Sequence, residues 1–361
     1  MKPTFLRLAP LVACLLLVSG ASAELTEPSA RCVPPARINV VGPDGSAGAR
    51  VTRHNFAADR APTWSPDSTR IAFQRAGDIL ITSATGGRPT RLTETRIPER
   101  HPSWSPDGTL IAYERGYHTH QIVVARVDGS GSLALTIGLS DDVEPAWSPD
   151  GKRIAFASNR LGSYDVFTMN ADGTRLADLT RGSIVDERSP SWSPDGRKIA
   201  FGAGADLFVM NADGSGRWNL TNDGARDKRP AWSPNGALIA FARDVGGRPS
   251  LYVMRSNGMS PRLVAGIGDS PSWAPDGRLI AYSLDGAAPV SGAPTCVVPR
   301  VLGLRLTDAQ DAILLRGCAS GRTRYASSLH HQGRVIRQYP RGGVQRAARA
   351  CVYLVVSTGR D

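Results

Sequence analysis

A ten-residue pattern, W-[SA]-P-[DN]-x-x-x-I-A-[FY], occurs six times in the chain and constrains its fold more than any other feature. The tryptophans of successive copies are separated by 40, 43, 45, 40 and 41 residues. The copies begin at Trp64, Trp104, Trp147, Trp192, Trp232 and Trp273. A period near 40 with aromatic and turn signatures is typical of propellers, in which each period supplies one blade. The sequence therefore predicts an all-β, six-bladed propeller with four-stranded antiparallel blades.

The third copy shows how one blade is built. Its Ser-Pro-Asp-Gly tetrad at 148–151 is a tight turn, because proline presets φ at the second position and glycine accepts a positive φ. Strands are predicted on either side of this turn, at 145–147 and 153–157. A third strand follows at 165–169, and after a second glycine turn a fourth strand ends at Thr180.

A proline stands two residues before every tryptophan of the pattern. Because proline lacks an N–H, it is confined to the edge of a sheet, and the innermost strand of a blade is such an edge. We therefore expect these prolines to face the central channel and the tryptophans to pack between neighbouring blades. The prolines are Pro62, Pro102, Pro145, Pro190, Pro230 and Pro271.

A second motif, an apolar strand followed by a glycine turn, also occurs six times but is shifted relative to the tryptophans. Its first copy, at 38–45, precedes Trp64, and no copy follows Trp273. We expect 38–53 to supply the two outer strands of the blade that Trp273 begins. Closure by both ends of the chain would remove the exposed sheet edges that promote aggregation.

The W-S-P-D-G and N-A-D-G signatures resemble the repeats of the TolB β-propeller family over about 38–285. This resemblance implies a binding platform in the bacterial envelope. The expected partner is a protein or a glycan of the envelope.

The N-terminus has the three parts of a secretory signal peptide: a basic start, an apolar run over 8–18, and Ala-Ser-Ala at 21–23. We predict a secreted or cell-envelope protein whose mature chain has no transmembrane segment. A lipobox would alternatively make Cys14 a lipid anchor, but the apolar run continues past Cys14. The predicted organisation is a signal peptide at 1–23, a propeller at 24–285, a linker at 286–295 and a small domain at 296–361.

The small domain at 296–361 differs in character from the repeats. Thr307 and Gln310 fit a capping box that starts a helix, Gly317 ends it, and strands are predicted near 333–339 and 351–357. This β-α-β-β order resembles a PASTA domain, which implies association with peptidoglycan or another wall polymer. The matching residues are Val298, Pro299, Gly303, Leu304, Ala309, Gly317, 333–336, Gln338, Pro340, Gly342 and 352–357.

The positive charge of the chain, +11 overall, is concentrated in the small domain. Residues 296–361 hold eleven arginines and three aspartates, with no lysine or glutamate. A basic envelope domain favours anionic polymers such as wall phosphates or lipid headgroups, although an arginine-rich surface without a ligand is the alternative. Export and the lack of an aromatic platform argue against nucleic acid as a partner.

Four cysteines remain once Cys14 is set aside, and export makes them disulfide candidates. They allow three pairings, among which the sequence alone does not choose. Cys296 precedes the first strand of the small domain and Cys318 follows its helix, so a bond between them would staple this unit. Cys32 and Cys351 would then form the second pair.

No catalytic signature accompanies the repeats. A G-x-S-x-G elbow, a P-loop, a dinucleotide fingerprint and H-E-x-x-H are all absent from the sequence. We therefore predict a non-catalytic protein without a cofactor or metal. His118 and His120 could chelate a metal from a loop, but no third ligand is nearby. The alternative is a propeller-type hydrolase or lyase that acts on an envelope or extracellular polymer.

A carboxylate precedes the tryptophan by five residues in five copies and by four in the sixth. The loops that carry these residues enter the innermost strands, so we expect an acidic ring at one mouth of the channel. Such a ring would focus a negative potential suited to a cation or a basic peptide. Alternatively, each carboxylate caps its own loop. The residues are Asp59, Glu99, Asp142, Glu187, Asp227 and Asp269.

Overall fold

The computed structural model describes a propeller and five strands of the region that follows it. The propeller residues are 36–52, 57–245 and 247–284. The described residues beyond the propeller are 295–297, 300–304, 309, 319–326, 334–339, 345–347 and 351–357. The predicted signal peptide, Cys14 and Cys32 lie outside these ranges. Within them, no helix is long and apolar enough to cross a membrane.

Twenty-four strands build the propeller, in six antiparallel sheets of four. In chain order they are β1 (Arg37–Val41), β2 (Ala49–Arg50), β3 (Asp59–Trp64), β4 (Arg70–Arg75), β5 (Asp78–Ser83), β6 (Thr90–Arg91), β7 (Glu99–Trp104), β8 (Leu110–Gly116), β9 (His120–Arg126), β10 (Ser132–Ala134), β11 (Asp142–Trp147) and β12 (Arg153–Ser158). They continue with β13 (Asp165–Asn170), β14 (Ala177–Asp178), β15 (Glu187–Trp192), β16 (Lys198–Ala203), β17 (Asp206–Asn211), β18 (Trp218–Asn219), β19 (Arg226–Trp232), β20 (Leu238–Val245), β21 (Arg248–Arg255), β22 (Arg262–Ala265), β23 (Asp269–Trp273) and β24 (Ile280–Leu284).

Blades 1 to 5 each consist of four consecutive strands, starting with β3, β7, β11, β15 and β19. Blade 6 has the order β2-β1-β24-β23, so its outer strands come from the beginning of the propeller sequence. Asn39 of β1 lies opposite Tyr282 of β24 in this sheet. The predicted six blades and their closure by both chain ends are therefore confirmed.

The tryptophans pack between blades, as predicted. Trp64 of blade 1 lies in one buried cluster with Ile38 and Val40 of blade 6 and Phe73 of its own blade. Burying a large apolar side chain stabilises a fold by roughly 1.5–3 kcal/mol, so repetition of this contact around the ring holds the blades together.

The two faces of the propeller are built from different connections. Because neighbouring strands are antiparallel, connections from the first to the second strand and from the third to the fourth lie at one end, which we call the turn face. Connections from the second to the third strand, and from the fourth to the next blade, lie at the other end, the loop face. Each innermost strand begins at the loop face.

Beyond the propeller the structure describes β25 (Thr295–Val297), β26 (Ala319–Ala326), β27 (Val335–Tyr339), β28 (Gln345–Ala347) and β29 (Cys351–Ser357). Strand β29 pairs in parallel with β26 and antiparallel with β27. Strand β26 was not predicted, because no alternation of apolar and polar residues marks it. Of the predicted helix, only Ala309 is described, and it is buried.

The PASTA-like assignment stays a prediction. The disulfide pairings stay predictions too, since Cys32 and Cys318 fall outside the described residues. The side chains of Cys296 and Cys351 also fall outside them.

Candidate ligand-binding channel

Each innermost strand of the propeller is interrupted at the same place. Its pairing with the second strand shifts across two residues, the second of which is the repeated proline. The residue before the proline has a left-handed backbone in all six blades, with φ between 48° and 55°. These six residues are Ala61, His101, Glu144, Ser189, Arg229 and Ser270.

A left-handed backbone is uncommon for residues other than glycine, and a following proline normally favours an extended conformation. Each such residue costs of order 1–3 kcal/mol unless its surroundings impose it. Glycine would relieve this cost, yet none of the six positions holds glycine. Irregularities of this kind re-aim a side chain, and here they bring the six side chains to the channel.

The re-aimed residues and their prolines line a cavity of about 140 Å³ in the centre of the ring. The prolines thus lie at the channel, as their missing N–H predicts. The pre-proline side chains differ from blade to blade and include a histidine, a glutamate and an arginine. In a six-membered ring blades 2 and 5 are opposite, which places His101 across the cavity from Arg229.

Around half of the channel, a side-chain oxygen of one blade accepts a hydrogen bond from a backbone N–H of the next blade. Gln74 Oε1 accepts a hydrogen bond from the backbone N–H of His101 at 3.2 Å. Glu114 Oε2 accepts from the N–H of Glu144 at 2.9 Å. Glu144 Oε2 in turn accepts from the N–H and the hydroxyl of Ser189, at 2.8 and 3.0 Å. These bonds hold the left-handed residues of blades 2, 3 and 4 in place.

His101 and Glu114 form an ion pair, with 3.1 Å between Nδ1 and Oε2. Burial, the largest single influence, lowers the pKa of His101, but the charge and hydrogen bond of Glu114 together with the charge of Glu144 raise that pKa above its usual value. Burial opposes ionisation of Glu114 as well, yet His101 and the N–H of Glu144 hold its pKa below the usual value. The charged pair is therefore favoured on this side of the cavity.

The opposite side of the cavity carries a second ion pair, in which Arg229 Nη1 donates to Asp269 Oδ2. Lys228 Nζ lies 3.7 Å from the same oxygen. Burial raises the pKa of Asp269, but the charge and hydrogen bond of Arg229, the charge of Lys228 and the N–H of Ser270 together lower it below its usual value. The channel thus combines fixed charges of both signs.

The six predicted ring carboxylates stand at corresponding positions, near the loop-face ends of the innermost strands. All six are buried, and none of them lines the cavity. The structure gives most of them a guanidinium partner from the propeller itself. The contacts are Asp59–Arg75 at 2.6 Å, Asp142–Arg160 at 2.9 Å, Glu187–Arg217 at 2.5 Å, Asp227–Arg243 at 2.7 Å and Asp269–Arg229. Glu99 accepts from the Thr95 hydroxyl at 3.2 Å.

Five of the six carboxylates are therefore paired with arginines of the propeller. Their role as a ligand-binding ring stays a prediction. Arg75 and Arg243 share one position, 16 residues after their carboxylates, whereas Arg160, Arg217 and Arg229 come from other places in the repeat, so one spacing marks only two of the five arginines.

The two histidines considered as metal ligands differ in their exposure to solvent. His118 is exposed, whereas His120 begins β9 and is buried. His120 Nδ1 lies 2.5 Å from Asp141 Oδ1, and Arg100 Nη1 lies 3.0 Å from Nε2. Among the described residues, no group of three or more His, Cys, Asp or Glu side chains could hold a metal ion.

His101, Glu144 and Arg229 were not predicted from the sequence as site residues. The signal that marks them is their position: they precede the repeated proline, at a place where the six copies hold five different residue types. The proline is the same in all six copies, whereas the residue before it varies. Such a position lets a repeated scaffold carry a different contact in each blade.

These features define a closed six-bladed β-propeller with a small polar channel. The sequence profile of the TolB beta propeller domain matches residues 37–205 and 186–288, together more than half of the chain. The chain belongs to the TolB β-propeller family.

Solved structures share this fold. Putative TolB from Agrobacterium tumefaciens is 24% identical, with a TM-score of 0.63 over 70% of this chain and 99% of that one. TolB from Acinetobacter baumannii is 21% identical, with a TM-score of 0.56 over 66% of each chain. A chain of a nidogen/laminin complex is 12% identical, with a TM-score of 0.51 over 63% of this chain and 92% of that one. No curated protein matches the chain.

Proposed function

We propose that this protein is an exported, non-catalytic binding protein of the cell envelope, and that its propeller binds a protein or glycan ligand at the channel. The observation that carries the proposal is the set of six strained pre-proline residues, none of them glycine, that converge on one cavity. Membership of the TolB propeller family supports an envelope location and a binding role.

The size of the cavity supports a binding role. Pockets that enclose a small-molecule substrate usually measure roughly 300–1,000 Å³. The channel cavity, at about 140 Å³, is smaller and has room for one side chain or part of one sugar ring. A ligand would therefore rest on the loop face and insert a single group between His101 and Arg229.

A hydrolase or lyase is the alternative, because His101, Glu114 and Arg229 are residue types that such enzymes use. In this structure His101 is engaged by Glu114 and Arg229 by Asp269. Both side chains are therefore already paired with carboxylates of the channel wall before a substrate binds. This pairing favours a binding role over catalysis.

Replacing His101 and Arg229 together by alanine tests the proposal. Retention of the mature protein on purified cell-envelope material should fall at least tenfold. The matched control is Arg262→Ala on the outer strand β22, which should bind as the wild type does. Unchanged retention of the double variant, with an unchanged melting temperature, would remove the channel from consideration.

The region 296–361 is proposed to associate with peptidoglycan or another anionic wall polymer, on the basis of its PASTA-like residues and its arginines. Retention of the mature protein on purified cell wall, with and without 296–361, tests this role. The shorter chain keeps all six blades, because the ring closes within 36–284. Equal retention of the two forms would contradict the wall-binding role.

A further inference from the structure

The backbone N–H groups of the six pre-proline residues differ in their acceptors. In the part of the chain that the structure describes, side-chain oxygens accept from four of these N–H groups, and three of the four acceptor contacts are made by carboxylates. The pairs are His101 with Gln74, Glu144 with Glu114, Ser189 with Glu144, and Ser270 with Asp269. No described side chain accepts from the N–H of Ala61 or Arg229.

The difference at Arg229 follows from one position of the second strand. Gln74 and Glu114 occupy the same position of their strands, opposite the residue that stands two before the proline. From there each side chain reaches the pre-proline residue of the next blade. Gly202 holds this position in blade 4 and has no side chain with which to reach Arg229.

The backbone around Gly202 leaves room for a side chain. A Cβ atom added there would meet the Arg188 carbonyl oxygen at 3.7 Å and the Lys228 Cα at 3.9 Å, which are ordinary van der Waals contacts. Gly202 is partly exposed, so this space is open to solvent. The corresponding position before Ala61 is filled by Ser283, which is buried and donates to a backbone carbonyl.

The net charge of the channel does not select its ligand, because cationic and anionic side chains are balanced there. They are His101, Lys228 and Arg229 on one side of the balance and Glu114, Glu144 and Asp269 on the other. The available donors are more selective. Lys228 Nζ lies 3.7 Å from Asp269, beyond hydrogen-bond range, and the lysine side chain is 43% exposed. Its ammonium donors therefore stand beside the N–H of Arg229 and can reach a ligand.

We propose that a glutamate side chain of a protein ligand enters the channel mouth between blades 4 and 5. Its carboxylate accepts from the N–H of Arg229 and from the ammonium of Lys228, as Glu114 accepts from the N–H of Glu144 in the neighbouring part of the ring. A carboxylate forms stronger hydrogen bonds with these donors than a neutral amide does. This inference rests on the binding role proposed for the channel and names the group that the channel recognises.

The test follows the N–H resonance of Arg229 by NMR in the mature full-length protein, labelled with nitrogen-15 arginine. The acetylated and amidated peptide glycine–glutamate–glycine should shift this resonance saturably. It should bind at least fivefold more tightly than the corresponding glutamine peptide. Lys228→Gln should reduce that preference to less than twofold. Equal affinity of the wild type for the two peptides would overturn the proposal.

Gly202→Gln supplies an amide oxygen where Gln74 does in blade 1. It should move the Arg229 resonance without any peptide and weaken binding of the glutamate peptide at least tenfold. The matched control, Gly202→Ala, adds one methyl group at ordinary contact distance and should bind as the wild type does. Unchanged binding by Gly202→Gln would contradict the proposal.

Retention on purified cell-envelope material distinguishes this inference from the proposed function. If the wild type and Gly202→Gln are retained equally, glutamate recognition fails while the binding role of the channel stands. If the wild type is not retained, the binding role fails, and the peptide titration still decides whether the two donors recognise a carboxylate. Tighter binding of methyl glucuronide than of the glutamate peptide would point to an acidic glycan and overturn the protein ligand.

Discussion

The two faces of the propeller obey different rules. On the turn face five blades use the same device, in which a serine hydroxyl donates to an Asp or Asn oxygen two residues later, at 2.5 to 2.8 Å. On the loop face a threonine hydroxyl accepts from a backbone N–H in five blades, but the buried carboxylates differ in their partners. Asp59 and Asp227 pair with an arginine of the second strand, whereas Asp142 pairs with Arg160 of a loop and Glu187 with Arg217 of a turn. Repetition therefore marks the positions that build the scaffold, and variation marks those free to acquire contacts of their own.

The largest expected effect concerns a loop-face carboxylate that we regard as structural. Asp227 is fully buried and binds Arg243 through both oxygens, at 2.8 and 2.7 Å. Replacing it by alanine leaves a guanidinium with 13% exposure short of a partner, and should lower the free energy of unfolding by about 3 kcal/mol. Urea denaturation measures this loss.

The matched control is Asp223→Ala, which removes a carboxylate that also touches Arg243, at 2.8 Å, but is 47% exposed. We expect it to cost less than about 1 kcal/mol, as exposed ion pairs do. If Asp227→Ala left stability intact and abolished ligand binding, Asp227 would belong with the ligand contacts.

The turn face allows two opposite substitutions, in which the turn serine is removed from one blade and added to another. Ser148 Oγ accepts from the N–H of Arg153 at 2.9 Å and donates to Asp150 at 2.7 Å, so Ser148→Ala should cost about 1–2 kcal/mol. Blade 6 has Ala274 at this position, and Ala274→Ser should recover part of such a gain there. Thermal denaturation of both variants sharpens the comparison of the faces. Negligible changes in the melting temperatures of both variants would show that the serine does not stabilise the turn.

Two adjacent blades supply a test of charge at the loop face. Burial, with Asp178 and Glu187 nearby, raises the pKa of Asp165 to about 6. In blade 4 the position of Asp178 holds Asn219, which donates to Asp206 at 2.9 Å. Asp178→Asn should copy that arrangement and stabilise the protein at pH 7 by roughly 0.5–1 kcal/mol, because it removes like-charge repulsion.

The pH dependence of the same cluster has a defined sign. The folded protein keeps a proton on Asp165 that the unfolded chain, with a pKa near 3.8, releases. Its contribution to the free energy of unfolding therefore falls as pH rises from about 4 to about 6. Asp178→Asn should flatten this part of the profile, measured by urea denaturation at several pH values. If the unfolding free energy of the variant changed with pH as that of the wild type does, Asp178 would not influence the pKa of Asp165.

The smallest effect is expected for the exposed loops themselves. Leu139→Ser and Ile184→Ser should each change the free energy of unfolding by less than about 0.5 kcal/mol, because both side chains are almost fully open to water. If calorimetry showed a larger loss of unfolding free energy, these loops would support the fold. The distinction between a structural turn face and a variable loop face would then not hold.

The propeller could be predicted from the sequence because its determinants are local and repeated. Turn residues, prolines and tryptophans recur at one spacing, and the offset of the second motif predicts ring closure. The channel contacts could not be predicted in the same way. The left-handed residues carry no glycine to announce them, and a contact such as Glu114 to the N–H of Glu144 joins two blades through a single, unrepeated pair.

Strand β26 was missed for a related reason. It has no repeat partner, and its pairing with β29 joins residues distant in sequence. Periodicity within 319–326 does not reveal such a pairing.

Pairing of β1 with β24 has a consequence for how the molecule is made. The first strand of the propeller to emerge from a ribosome or a translocation pore can pair early with β2, but its pairing with β24 must wait for the last strand of the propeller. Until then five blades can form while an open seam remains beside blade 1, and closing it is a long-range step of the kind that slows folding. The maturation of a chain of this design should therefore be timed by the arrival of its sixth blade.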